Sequence, residues 1–120
     1  MASLGDGRLS EVERRTYEVA LVWAAAALVL EDGPVEASDR ADLARLVGVE
    51  RATKALRYAH SNGRAAVIDK LVSSIERLNG AGVSTRRRFD EAFSAFSLTV
   101  SGGAGVAVAD RVVRRTLRLS

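Results

Sequence analysis

The chain has 120 residues, 48% of them hydrophobic and 28% charged, with one proline; this is one folded domain, and it excludes a disordered chain or a two-domain enzyme. Eighteen basic against 15 acidic residues leave a net charge of +3, an excess that carries meaning only where it clusters. Cysteine is absent, which excludes disulfides, thiolate metal sites, iron–sulfur clusters and thiol catalysis.

In chain order, residues 1–9 contain two glycines and few apolar groups and are expected to be a flexible tail. Ser10 followed by Glu13 is a capping-box pattern that opens a first helix reaching about Leu30. Its second half, Val19 to Leu30, is apolar all round, as in a helix covered on several sides, with Trp23 inside; an oligomerising face is the alternative. Those 12 uncharged residues fall short of the roughly 18 to 20 that a spanning helix needs. Neither a membrane segment nor a secretory signal is recognisable, so the expected location is cytoplasmic.

Ser38 or Asp39 is the expected cap of a helix over Asp39 to Val47, and Gly48 breaks it before Glu50 opens another that ends near Asn62-Gly63. This stretch, Ser38 to Arg64, combines apolar spacing, caps and basic charge, and is the expected organising element of the fold. Ile68, Leu71, Val72, Ile75 and Leu78 then repeat at helical spacing within a helix from Ala66 to Leu78. Thr85 is the expected cap of a helix carrying Phe89, Phe93 and Phe96. The alternation in Phe96 to Ser101 leaves open a short β-hairpin through the glycines at 102, 103 and 105. A final helix starts at Val106 or Ala107 and reaches Leu119. The expected fold is an all-α single domain over residues 1–120, a compact bundle of five to six helices. Its core is drawn around Trp23, Leu46, Leu56, Ile68, Leu71, Ile75, Phe89, Phe93 and Val113.

Sixteen of the 18 basic residues are Arg, whose planar fork suits phosphate and carboxylate, although a GC-rich genome gives the same bias. Arg111, Arg114, Arg115 and Arg118 fall at i, i+3, i+4 and i+7, one arc of the last helix. Such a row contacts successive phosphates or an acidic partner, or stands as a solvated face. Arg86, Arg87 and Arg88 sit at an expected helix start, where the dipole disfavours cations and an anionic partner would relieve that penalty. Arg51, Lys54 and Arg57 lie off the apolar face of their helix.

ARLVGVERAT is similar to the turn of a DNA-reading helix-turn-helix, except that Lys54 and Arg57 occupy positions that are apolar in that motif. SLTVSGGAGVAVADRVV has the order strand, glycine loop, helix of a phosphate cradle. Val108 stands where a third small residue belongs, however, and no Lys follows the glycines. His60 is the only histidine, and Asp39 with Asp42 and Asp90 with Glu91 are explained as caps and dipole partners, so no catalytic site, metal or cofactor is expected. Gln is absent, Asn occurs only at Asn62 and Asn79 and Met only at Met1, the depletion of thermolabile side chains expected of a thermophile.

From Asp39-Arg40 onward, DRADLARLVGVERATKALRYA, preceded by the apolar Ala-rich helix, resembles the small subunit of archaeal type I-A CRISPR interference (Cascade) complexes over about half the chain. That resemblance implies a non-catalytic helical subunit in antiviral defence that lines the effector's backbone, meets other effector subunits and binds nucleic acid as crRNA, target or displaced strand. Members of the family are longer and carry a β-rich portion, which here would shrink to about residues 97–108; the small subunit of a type III effector is a near relative of this reading. Two other readings stand beside it: a helix-turn-helix DNA-binding regulator, and a helical scaffold whose arginines meet an acidic protein.

Overall fold

The computed structural model describes residues 10–31, 35–101 and 108–119, and the backbone alone of Ser101. Six helices make up the described residues and no strand occurs among them: α1 Glu11–Val29, α2 Ala37–Val47, α3 Val49–Asn62, α4 Arg64–Leu78, α5 Val83–Ser101 and α6 Val108–Thr116. The single all-α bundle follows the sequence pattern. The β-hairpin does not, in so far as it is described: Phe96 to Ser101 continue α5, while the glycines at 102, 103 and 105 lie outside the described residues.

The central element is α1, which packs against each of the other five helices; the expected organiser, Ser38 to Arg64, wraps it from outside. Ala20 to Val29 are buried throughout except Trp23, because a run of alanines lets neighbours approach from several sides at once. The same crowding moves bulk outward. Trp23 is only half-buried and meets Tyr58 edge to face, ring centroids 5.3 Å apart. Leu46, Leu56 and Ile68 are likewise peripheral, whereas Leu71, Ile75, Phe89, Phe93 and Val113 form the interior as expected. Phe89 and Phe93 stack at 5.9 Å, each fully buried, a burial worth about 1.5–3 kcal/mol per side chain.

Helix starts follow local hydrogen bonding and shift two expected caps. Ser10 caps α1, its Oγ accepting from the Glu13 N–H at 3.1 Å, but the reciprocal half of the box is not made, because Glu13 Oε2 accepts the Gly82 N–H at 2.9 Å instead. Neither Ser38 nor Asp39 is the cap of α2; Glu36 is, and Asp39 reaches back from the first turn, its carboxylate accepting the Glu36 N–H at 3.1 Å. Thr85 is not a cap either. It is buried, since α5 begins two residues earlier and its first bond runs from Arg86 N–H to the Gly82 carbonyl at 3.2 Å. At its other end α6 stops at Thr116, short of Leu119. Asn79 captures it there, donating to the Thr116 carbonyl at 2.9 Å and accepting the Arg118 N–H at 2.8 Å.

Two single glycines make the corners between α2, α3 and α4. Gly48 has φ 95 and ψ 149, and Gly63 has φ 90 and ψ 169, a region that side chains rarely enter. Arg64, one residue on, donates to the Leu30 carbonyl and so ties the start of α4 to the end of α1.

Candidate nucleic-acid interface

The two C-terminal basic clusters meet. Arg86, in the first half of α5, donates to the carbonyl of Arg118 just beyond α6. Arg114 of α6 pairs with Asp90 and donates to Ser94 Oγ at 2.9 Å, so α6 lies antiparallel to the first half of α5.

Those bonds also divide the arginines by role. Arg114 also has Asp110 of its own helix 3.5 Å away, and its bonds to Asp90 and Ser94 fix it to α5. Arg86 is half-buried and puts Nε 3.1 Å from the Ala81 carbonyl, clamping the α4–α5 turn to the residues after α6. Arg111 and Arg115 are exposed, and no carboxylate among the described residues lies within 4 Å of them. The row is thus shorter than the sequence spacing implies: Arg114 faces α5, and Arg118 is exposed but outside the helix. The dipole argument changes too. With α5 starting at Val83, Arg86 to Arg88 fall beyond the first turn, where the unfavourable field has largely decayed. Arg87 is exposed, and Arg88 lies near Tyr17 of α1. Burial raises the Tyr17 phenol above its ordinary value, the Arg88 charge opposes that rise and Glu18 adds to it.

On α3 the expected trio separates. Arg51 turns to α1 and pairs with Glu18 at 3.0 Å, Lys54 is exposed, and Arg57 stands at the edge of a groove between α2 and α3. A single residue, Gly48, makes the corner there, where a DNA-reading helix-turn-helix has a turn of about 3–4 residues. Sequence reasoning missed this groove, and with it Arg40, although Arg40, Ala41 and Ala44 already share one side of α2 by helical spacing. His60 is exposed and lines the same groove. Among the described residues no group of three or more His, Cys, Asp or Glu could hold a metal ion, and no helix is long and apolar enough to cross a membrane.

No protein-family model matches this chain, and neither a curated protein nor a solved structure matches it.

Proposed function

We propose that this protein is a non-catalytic, sequence-independent nucleic-acid-binding subunit whose phosphate contacts come from Arg111, Arg115 and Arg118, helped by the exposed Arg87 of α5. The observation that carries this reading is the pair of exposed arginines on α6 with no carboxylate partner among the described residues, next to an Arg118 that Arg86 anchors. Guanidinium groups without an internal partner keep their full charge for phosphate and release counterions when it binds. Rigid support helps: Arg114 and Asn79 hold α6 and the residues after it, so little order is left to be gained on binding.

Three phosphate contacts predict a slope of log affinity against log salt of roughly 2 to 3. Replacing Arg111 and Arg115 together by Ala should lower that slope by about 1.4–1.8. Single-stranded and duplex binding should weaken alike, with the fold intact by circular dichroism. Unchanged affinity in the double variant sinks the reading. One preferred duplex sequence, lost on Arg57→Ala, would support a DNA-reading regulator instead. Membership of a CRISPR interference complex rests on the sequence resemblance alone; guide RNA co-purifying with the native assembly tests it.

A further inference from the structure

α2 and α3 diverge from their corner at Gly48 and leave an open groove of about 630 Å³ on the surface. Its floor is small and apolar, Ala44, Ala52 and Leu56, and Val49 at one end is 71% exposed. Its charge is of one sign. Arg40 of α2 and Arg57 of α3 flank the apolar floor, and among the described residues no acidic one lines it. Of the carboxylates nearby, Asp39 is engaged on the Glu36 N–H, Asp42 on Arg45 and Glu18 on Arg51, while Glu50 of α3 is exposed and does not line the groove. Arg45 and Arg51, which do not line the groove, have counter-charges, and Arg40 and Arg57 beside it have none within 4 Å among the described residues.

That complementarity selects the occupant. A nucleic acid matches the two guanidinium groups but offers no apolar ridge for Leu56 and Val49. An extended strand needs a backbone edge to pair with, and both walls here are helices with their backbone groups bonded internally. A helix fits: the alanine floor lets an axis come within about 8 Å, and Val49 to His60 gives a wall of roughly 16 Å, about three turns. We propose that the groove between α2 and α3 docks one amphipathic helix of a partner protein, its apolar ridge on Ala44, Ala52 and Leu56 and its flanking carboxylates on Arg40 and Arg57. The groove and the α6 arginines lie on different helices, so the chain would join an acidic protein helix to nucleic acid.

The test uses the full chain and a labelled synthetic helix with leucines at i, i+3, i+4 and i+7 flanked by glutamates, followed by fluorescence anisotropy. A second probe carries lysines in place of the glutamates. Ala41→Trp fills the mouth of the groove from an exposed position, and thermal melts report that it folds. The acidic probe should bind wild type and lose at least about tenfold in Ala41→Trp, a change of about 1.4 kcal/mol. In Arg40→Glu with Arg57→Glu the preference should reverse toward the lysine probe. Nucleic-acid affinity should stay unchanged in Ala41→Trp, which separates failure here from failure of the α6 reading. The proposal is overturned if the acidic probe fails to bind, if both probes bind wild type alike, or if binding survives Ala41→Trp. Self-association that Ala41→Trp abolishes would assign the groove to a second copy and overturn it as well.

Discussion

Gly63→Ala tests the corner between α3 and α4 in isolation. Gly63 has φ 90, where a residue with a side chain costs about 1–3 kcal/mol. A Cβ built there meets nothing within 4 Å, so the whole cost is backbone strain and none is collision. Stiffening of the unfolded chain returns roughly 0.4–1 kcal/mol, which leaves a net loss of about 1–2 kcal/mol. Unfolding entropy near 2.1 cal/mol/K per residue over 120 residues converts this to a fall in Tm of about 4–8 °C. The mirror-image residue is the control. D-alanine is relaxed at positive φ and should leave Tm unchanged or raise it. It can be installed by ligation at Ala65 and desulfurisation, which is clean because the chain has no other cysteine. A variant with L-alanine that melts within about 1 °C of wild type, or a D-alanine variant that falls as far as the L form, refutes the reasoning.

Phe93→Ala removes a fully buried ring stacked on Phe89 and should cost about 3–5 kcal/mol, read as a lower urea midpoint. Arg114→Ala should lose about 1 kcal/mol, since its partners Asp90, Ser94 and Asp110 are near the surface. Arg115→Ala, with no such partners, should change stability by less than about 0.5 kcal/mol; denaturant titrations of the two distinguish the fixed arginine from the exposed one. The Tyr17 phenol is raised above 10.0 by burial, so the folded state holds its proton more tightly than the unfolded state does. Its contribution is fully present below pH 10 and is lost as pH rises through the folded value. A stability profile from pH 9 upward should show a decline that is shallower in Tyr17→Phe, and an identical decline in both would reject the assignment.

Much of the bundle was legible because one-dimensional spacing suffices for helices. Ile75, Leu78 and the three Phe fall at periods that leave one buried face, and Gly48 and Gly63 mark breaks that no other residue type tolerates cheaply. Less legible was which face each neighbour covers. Trp23 reads as interior by hydropathy, but the alanines beside it draw helices so close that a bulky ring fits only at the margin. The basic row failed in part for a related reason. Periodicity puts Arg114 and Arg115 on one arc, whereas Asp90 and Asn79, 24 and 39 residues away from their partners, decide which arginine is taken and where α6 ends. Long-range partners leave no mark in local spacing.

A helix touched by all five others makes its five interfaces share one set of side chains. Ala24, Ala25, Ala26 and Ala27 are each at most 1% exposed, so this half of α1 is covered on all sides and its neighbours share it. Peeling off α4 uncovers surface that α5 also relies on. Partly melted forms therefore forfeit contacts out of proportion to the residues released, and unfolding is concentrated into a single all-or-none transition. Calorimetric and van't Hoff enthalpies should accordingly agree. For the same reason, substitutions along this run should fail to add, since a methyl group inserted on one side displaces a helix that bears on the next.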